Sequence, residues 1–401
     1  MTQTVDADIV ILGGGVAGLW LLNRLRQQGF SAILLESGTL GGEQTHKAQG
    51  ILHGGMKYAL QGILTPAVQG VANAPALWRD CLEGKGILDL RRVPVLSSDQ
   101  SLWTTSSMLS RASGFVASKT LRSAVRPLER EDFPDLFRHP DFKGDVYAFN
   151  EQVIDVHGLL RELVRQHQDA IFRIDPPRST DIHYLPSGEI ESITIGALPM
   201  PSVTLRARRF VFAAGSGNDL LLEKSGNRAI QMQLRPLQMV MAKHAFPHDL
   251  YAHCLGSGAT PRLTITTHAT QDGKKIWYIG GQLAEEGALR TPEEQQAKAR
   301  SELQTLFPWL DFSTVTFASF YVDRAEARQS GLTRPDSFSV ESAANYIVVW
   351  PTKLVLAPLL AEHVLETLKE PSIRSGKADL RALCSWPVPA FATPMWEQLF
   401  R

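Results

Sequence analysis

A histidine followed by two glycines is the first candidate catalytic feature of this sequence. His53, Gly54 and Gly55 stand in the stretch QGILHGGMKY. An imidazole with a pKa of about 6.5 suits proton abstraction from an alcohol at neutral pH. Paired glycines lose the most backbone freedom on folding, so they predict that a ligand lies close to this backbone. His53 is therefore a candidate catalytic base or ligand-positioning group, and a histidine packed between a loop and a sheet is the alternative.

Basic side chains near the C-terminal third are candidate anion-binding groups. Arg324 lies in YVDRAEARQSGLTRPDS, and its guanidinium offers two parallel donors to a carboxylate or phosphate. The alternative for Arg324 is an ion pair with Asp323 or Glu326. Arg334 in the same stretch is a second candidate clamp. Lys353 follows a predicted strand in VVWPTKLVLAP and is a candidate catalytic group in that loop.

A βαβ unit at the N-terminus predicts a nucleotide site. The apolar run of residues 9–12 predicts a buried parallel strand, and leucines at helical spacing follow a G-x-G-x-x-G loop. Gly13 permits the tight turn, Gly15 lets the backbone approach a pyrophosphate, and Gly18 lets helix and strand pack closely. The helix N-terminus favours phosphate, and Glu36 is placed to accept hydrogen bonds from a ribose. The predicted contacts in this unit are Gly13, Gly15, Val16, Ala17, Gly18, Glu36 and Ser37.

Two further segments favour FAD over NAD as the dinucleotide. RFVFAAGSG predicts a buried strand that ends in the small residues Ala213, Ala214 and Gly215, and it resembles the second FAD-contact strand of many flavoproteins. VVWPTKLVLAPLLAEHV predicts a strand, a short loop and a helix near the C-terminus. The start of such a helix stabilises the negative charge that appears on a reduced flavin.

Composition excludes several classes of protein. The 401 residues carry 41 Lys and Arg against 41 Asp and Glu, so the chain lacks the basic excess of a nucleic-acid-binding protein. Three distant cysteines form no C-x-x-C pair, so we expect neither a metal site nor disulfides, and a reducing, cytoplasmic location. No apolar run reaches the roughly 20 residues that span a bilayer. Membrane contact through the aromatic tail WPVPAFATPMWEQLF stays open, although packing against the chain itself is favoured.

The order of the segments predicts an α/β fold with a Rossmann-type FAD-binding domain assembled from separated segments. An α+β substrate domain, built on a largely antiparallel sheet, is interleaved with it, because residues 231–320 alternate as strands do. The predicted FAD-binding domain comprises residues 1–84, 146–228 and 321–375. The predicted substrate domain comprises residues 85–145 and 229–320, and residues 376–401 form a C-terminal tail.

From residue 7 to about 368, the chain resembles the FAD-dependent oxidoreductases of the D-amino-acid oxidase and glycerol-3-phosphate dehydrogenase superfamily. The motifs are ADIVILGGGVAGL, GEQTHKAQGILHGGMKY, NEQVIDVHGLLREL, FVFAAGSGN, LRPLQMVMAK, WYIGGQL and PTKLVLAP. QGILHGGMKY is most similar to glycerol-3-phosphate and L-2-hydroxyglutarate dehydrogenases, which implies that the flavin ring lies beside His53. Further implied FAD contacts are Thr45, Gly54, Gly55, Ile182, Ala214, Gly215, Pro351, Thr352, Lys353 and Leu354.

Departures from the family pattern qualify this resemblance. The serine-rich pyrophosphate loop of the family is GGEQTHKAQG here, with Thr45 as its only hydroxyl. No cysteine lies in the segments where some relatives attach flavin covalently, so non-covalent FAD is expected.

The resemblance implies oxidation of a small anionic 2-hydroxy acid or polyol phosphate by hydride transfer to flavin N5. Amine or amino-acid oxidation, and a flavoprotein subunit without chemistry of its own, are the alternatives. The electron acceptor (oxygen, quinone or another protein) stays open. His46, His253 and His268 are alternative bases if His53 only positions its loop.

Overall fold

A computed structural model describes residues 3–54, 66–105, 125–175, 180–197, 200–256, 260–329, 337–368, 371 and 378–401. Gly55, Arg122 and Arg334 lie outside the described residues. The α-helices of the described residues are α1 (Val16–Gln27), α2 (Pro66–Leu82), α3 (Val156–Arg165), α4 (Asn218–Lys224), α5 (Gln282–Gly287), α6 (Pro292–Leu306), α7 (Ala357–Thr367) and α8 (Met395–Leu399).

The strands of the same residues are, in chain order, β1 (Gln3–Leu12), β2 (Ala32–Glu36), β3 (Val95–Ser97), β4 (Gln100–Trp103), β5 (Arg126–Pro127), β6 (Val146–Phe149), β7 (Val153–Ile154), β8 (Ile171–Arg173), β9 (Asp181–Tyr184), β10 (Ile190–Ala197), β11 (Met200–Phe212), β12 (Met232–His244), β13 (Ala252–Cys254), β14 (Leu263–Ala269), β15 (Lys275–Gly280), β16 (Thr316–Ala327), β17 (Ser339–Ala343) and β18 (Tyr346–Trp350).

The first sheet has the parallel centre that the N-terminal βαβ unit predicts. Its strands run in the order β17-β18-β11-β1-β2-β8, and β1 pairs in parallel with both β2 and β11. The apolar face of α1 is buried because Leu19, Leu22 and Leu25 recur on one side. Gly29, with φ of 83°, follows the end of α1, as the sequence predicts. The carboxyl ends of β1, β11 and β18 therefore open toward the same edge of the sheet.

The second sheet is largely antiparallel and runs in the order β16-β12-β15-β14-β13-β4-β6-β5. β12 pairs with β16 from Met232 to Lys243 and with β15 from Val240 to His244. Helix α6 is capped by Thr291 and Glu294, each of which bonds the other's backbone N–H. The mixed α/β fold that the sequence predicts is thus confirmed.

Two segments that the sequence assigns to the FAD-binding domain contain strands of the second sheet. Residues 146–149 pair with β4, and residues 321–327 pair with β12, so both segments belong to the second sheet and not to the first. Alternation of apolar residues along the sequence indicates that a segment is a strand. It does not indicate which other strand that segment pairs with. The division into an FAD-binding and a substrate domain itself stays a prediction.

The four-residue spacing of Arg122, Arg126 and Arg130 predicts that the three side chains lie on one face of a helix. In the structure, Arg126 and Arg130 do not lie on an α-helix. Arg126 lies in the two-residue strand β5, and Arg130 begins a 3-10 turn that ends at Asp132. Pro127 accounts for the difference at Arg126, because a proline disfavours helical backbone in the residue before it.

The C-terminal tail contacts both sheets. Its backbone exchanges hydrogen bonds with Leu40, whose N–H donates to Ala390 O at 2.8 Å and whose carbonyl accepts from Ala392 N at 3.1 Å. Trp396 stacks on His268 of the second sheet, with ring centroids 4.8 Å apart. The tail therefore packs against its own chain. Among the described residues, no helix is both long and apolar enough to cross a membrane.

Candidate active site

Two of the three motif glycines are required by the protein's own packing. Gly13 has φ of 120°, and an added Cβ would lie 2.4 Å from Ala213 O. An added Cβ on Gly18 would lie 2.0 Å from Gly13 O. Side chains at these positions would collide with backbone that has no room to move, so the glycines let β1, α1 and β11 meet closely.

Gly15 differs from its neighbours, because no protein backbone crowds it. The nearest atom to an added Cβ is the Thr45 hydroxyl oxygen at 3.3 Å. That hydroxyl accepts the first N–H of α1, from Val16, at 3.1 Å. Gly15 thus leaves open the space beside a helix N-terminus, where a phosphate would be stabilised.

Glu36 closes the other side of the glycine loop. Its carboxylate accepts the N–H groups of Gly14 and Gly38, each at 2.6 Å. Burial raises the pKa of this carboxyl above its ordinary value, although the backbone N–H donors oppose the shift. The acid therefore stands beside the loop, as the sequence predicts for a ribose-binding group.

A cavity runs from this loop along the carboxyl ends of the first sheet; we call it the glycine-loop cavity. Ile182 and Thr180 form its far wall. Among the predicted cofactor contacts, those that line it are Gly13, Gly15, Val16, Ala17, Glu36, Ser37, Thr45, Ile182, Ala214, Gly215 and Pro351. Gly18 does not line it, since it packs inside the βαβ unit.

A second cavity, which we call the His53 cavity, adjoins the first. The two share lining residues, which are Val16, Gln44, Thr45, Gly215 and Pro351. The second sheet supplies its floor through Leu237, Met239 and Val322, with Arg324 on the same strand as Val322. The structure thus brings His53, Arg324, Thr352, Lys353 and Leu354 to one cavity.

The loop between β18 and α7 enters this cavity in an unusual conformation. Thr352 has φ of 57°, which is rare for a β-branched residue and costs on the order of 1–3 kcal/mol. Its hydroxyl lies 2.7 Å from Pro351 O and 3.0 Å from Ser337 O, and its one proton is shared between these two carbonyls, which holds the turn. Such strain is often found at ligand-binding loops.

His53 is paired with a buried carboxylate that the sequence analysis missed. Nδ1 of His53 lies 3.2 Å from Oε2 of Glu151, and Gly54 N donates to Oε1 at 2.5 Å. Glu151 is buried, whereas 48% of the His53 side chain is exposed. Burial raises the pKa of Glu151, but the hydrogen bond and charge of His53 and the nearby His253 lower it by more, so its net pKa lies below the ordinary value.

The space around Gly54 is bounded by protein. An added Cβ would meet Oε1 of Glu151 and Cγ of Pro75, each at 3.4 Å. A close approach of flavin to Gly54 stays a prediction, and Gly55 lies outside the described residues.

His253 completes a group of three around Glu151. Its Nδ1 lies 2.9 Å from the Thr264 hydroxyl, and burial lowers its pKa to about 3. Of the three alternative bases, only His253 lines the His53 cavity. His46 is bonded to Gly41 O at 3.0 Å, and His268 is stacked on the tail.

Glu326, one of the alternative ion-pair partners of Arg324, is engaged by other side chains. The Glu326 carboxylate pairs with Arg235 at 2.8 Å and accepts from Gln233 at 2.7 Å. Asp323 points to the opposite face of the same strand and is exposed. Arg324 is half-buried and lines the cavity.

Comparison with known proteins identifies the family to which this chain belongs. A family model described as "DAO: FAD dependent oxidoreductase" matches residues 8–364. The chain belongs to the DAO family of FAD-dependent oxidoreductases. A curated member, the probable FAD-dependent oxidoreductase PA4991 of Pseudomonas aeruginosa, is 44% identical, with both chains covered completely. Its crystal structure superposes with a TM-score of 0.82 over both whole chains, at 37% identity in that alignment.

More distant solved structures share the fold. An L-α-glycerophosphate oxidase from Mycoplasma pneumoniae with FAD bound has a TM-score of 0.64 at 15% identity, covering 93% of this chain and 98% of the oxidase. A glycine oxidase from Geobacillus kaustophilus has a TM-score of 0.62 at 15% identity, covering 94% and 97%. These two similarities support the architecture alone and do not distinguish an alcohol from an amine substrate.

The residues present fit FAD, which this protein uses as an FAD-dependent oxidoreductase. The open space at Gly15, the N-terminus of α1 and Glu36 line a cavity that adjoins the His53 cavity. Asn218 supports the wall beside this cavity: its Oδ1 accepts Ala214 N–H at 2.9 Å, and its Nδ2 donates to Val349 O at 3.2 Å. Asn218 is the last residue of the motif FAAGSGN. A polar side chain directly after this turn of small residues is a local signal for such a supporting group.

Proposed function

We propose that this protein oxidises the CH–OH group of a small anionic substrate, a 2-hydroxy acid or a polyol phosphate. The observation that carries the proposal is the pairing of His53 with the buried Glu151 in the cavity that also contains Arg324. When bound, FAD supplies the acceptor for the hydride that leaves the substrate carbon. The groups of this chain bind the anion and take the hydroxyl proton.

The Glu151 carboxylate fixes which nitrogen of His53 serves as the base. An ionised carboxylate only accepts hydrogen bonds, so Nδ1 of His53 must carry the proton at 3.2 Å from Oε2. The other nitrogen, Nε2, then holds a lone pair in the cavity that His53 lines. A carboxylate that orients the imidazole and stabilises its protonated form is a recurring device for general bases.

An alcohol needs this base more than an amine does. The hydroxyl proton has to leave as the hydride departs, and Nε2 of His53 is the group that receives it. A neutral amine holds a lone pair that expels hydride without prior loss of a proton. The buried Glu151 is therefore better explained by a CH–OH substrate than by an amine.

The charges of the cavity favour an anionic substrate of modest size. Arg324 offers a bidentate fork, and Lys353 enters from the strained loop. Leu237, Met239 and Val322 give the floor an apolar surface between these groups. Such a cavity suits a short carbon chain with a carboxylate or phosphate at one end.

Anaerobic mixing of the FAD-loaded protein with a substrate panel tests the proposal. The panel comprises 2-hydroxy acids, polyol phosphates, amino acids and neutral alcohols matched in chain length to the hydroxy acids. We expect hydroxy acids or polyol phosphates to bleach the flavin absorbance, and the matched neutral alcohols to fail. Bleaching by amino acids alone favours the amine oxidase alternative. Bleaching by dithionite but by no substrate favours a flavoprotein subunit without its own chemistry.

A further inference from the structure

We propose that one divalent ion of the zinc class binds among His53, Glu151 and His253 at the edge of the His53 cavity, and that it inhibits the enzyme. The ligand atoms of these three side chains all lie within 4.8 Å of one another. The sequence gives no sign of this site, because the three residues are far apart along the chain and no cysteine takes part.

One of the donor separations matches an edge of a tetrahedral site. Zinc bonds of about 2.0–2.2 Å place neighbouring ligand atoms about 3.3–3.5 Å apart. Nδ1 of His53 and Oε2 of Glu151 are separated by 3.2 Å, so one edge of the tetrahedron already exists. The half-exposed His53 side chain has room to turn toward the other two ligands.

His253 provides a second, independent indication of a ligand. The residue is 2% exposed, and its Nε2 has no hydrogen-bond partner within the part of the chain that the structure describes. Leaving a buried donor or acceptor unsatisfied costs about 1–3 kcal/mol, so a partner for Nε2 is favoured. Nδ1 is held by the Thr264 hydroxyl at 2.9 Å, as the second nitrogen of metal-binding histidines is usually held by a neighbour.

The donor set selects the class of ion. Two imidazoles and one carboxylate suit zinc and similar transition metals, whereas calcium and magnesium prefer oxygen ligands throughout. The buried Glu151 carboxylate adds a negative charge that a cation compensates. All three residues line the His53 cavity, so a fourth coordination position is open to water or another small ligand.

Binding would remove the proposed base. An ion on Nδ1 of His53 displaces the proton of that nitrogen, and the neutral ring then carries its proton on Nε2. Nε2 no longer accepts a proton from a substrate hydroxyl. This consequence rests on the proposed function of His53, whereas binding of the ion does not.

Calorimetric titration of the FAD-loaded, full-length protein with zinc chloride, in a buffer without chelators, tests the binding. We expect one zinc per chain, and at least about tenfold weaker binding in both His253→Gln and His53→Ala, since each removes one of three ligands. His363→Ala is the matched control, because this half-exposed histidine lies on α7 outside both cavities and its loss should leave zinc affinity unchanged. Flavin absorbance and thermal unfolding verify the fold of each variant.

Either of two results would overturn the site: no stoichiometric zinc in the wild type, or wild-type affinity in both ligand variants. The buried substitution His253→Gln could prevent folding. The His53→Ala variant should still fold, because the His53 side chain is half exposed, so its zinc affinity alone decides the test. Inhibition is measured separately, as the rate of anaerobic flavin reduction with and without zinc. If zinc binds stoichiometrically but the rate of flavin reduction is unchanged, the proposed inhibition is wrong. If the proposed function is wrong, the calorimetric test of zinc binding still stands.

Discussion

His53 and Glu151 form a hydrogen-bonded pair in which the carboxylate is buried and the imidazole is half exposed, with 3.2 Å between Nδ1 and Oε2. The buried carboxylate is fixed by a second bond from Gly54 N. The buried carboxylate therefore orients the half-exposed imidazole. The proposed proton transfer to Nε2 of His53 depends on this pairing.

Replacing the carboxylate should impair the base without removing it. In Glu151→Gln, the amide is able to donate to Nδ1 of His53, which would place the ring proton on Nε2 and block proton acceptance. We expect flavin reduction to slow by an amount approaching the roughly 10²–10⁴-fold contribution of a general base. Rapid anaerobic mixing measures the rate. Wild-type reduction in this variant would show that Glu151 does not control His53.

Arg324 should contribute to substrate binding through its geometry as well as its charge. Arg324→Lys keeps the charge but loses the bidentate fork, so we expect binding to weaken by about 1.5–3 kcal/mol. Arg235→Lys is the matched control, because Arg235 is the register partner of Arg324 but pairs with Glu326. The dissociation constant from flavin spectral titration distinguishes the two. Equal affinities in Arg324→Lys and wild type would reassign the clamp.

The motif glycines should respond differently to a side chain. Gly15 has φ of −77° and no crowding backbone, so Gly15→Val should leave folding largely intact and abolish FAD binding. Gly18→Val should damage the fold itself, since even a Cβ would collide with Gly13 O. Flavin content and thermal unfolding of the apoproteins separate the two effects. Retention of FAD by Gly15→Val would contradict the assigned phosphate position.

Two buried histidines predict a loss of stability in acid. Burial lowers the pKa of His244 to about 4 and that of His268 to about 3. An unfolded histidine binds its proton below about pH 6.5, so the unfolded state holds more protons as the pH falls from there. Each histidine should thus lower the free energy of unfolding by up to about 1.4 kcal/mol per pH unit between about pH 6.5 and 4.

Urea unfolding of a His268→Gln variant, measured at several pH values, tests the direction of this change in the free energy of unfolding. In His268→Gln, the pH dependence between 6.5 and 4 should be shallower than in the wild type, because the protonation of His268 on unfolding no longer contributes. The control is His363→Ala on the exposed side of α7, which should keep the wild-type slope. A His268→Gln slope equal to the wild-type slope would contradict the assignment.

Local sequence signals were sufficient for the FAD fingerprint. The strand, glycine loop, helix and acid are contiguous, so Gly13, Gly18 and Glu36 each occupy the place that the pattern predicts. Asp155 likewise begins α3 as an N-cap, accepting His157 N–H at 3.0 Å. Such features depend on backbone geometry within a few residues, and this geometry is readable from residue type and spacing.

Long-range pairing in the reaction site was not readable from the sequence. Glu151 meets His53 across 98 positions, and His253 joins them from a strand of the second sheet. Glu151 belongs to the motif NEQVIDVHGLLREL, but no local pattern in that motif indicates that its side chain turns inward. The pairing of residues 321–327 with β12 was equally hidden, because the partner of a strand depends on the packing of the whole chain.

The rate of anaerobic flavin reduction in His53→Ala, at saturating 2-hydroxy acid or polyol phosphate, tests the central claim most directly. The account predicts a protein that keeps FAD and its fold but reduces flavin about 10²–10⁴ times more slowly than the wild type. The deficit should shrink as the pH rises, since hydroxide replaces the base. A His53→Ala protein that reduces its flavin at the wild-type rate would contradict the account.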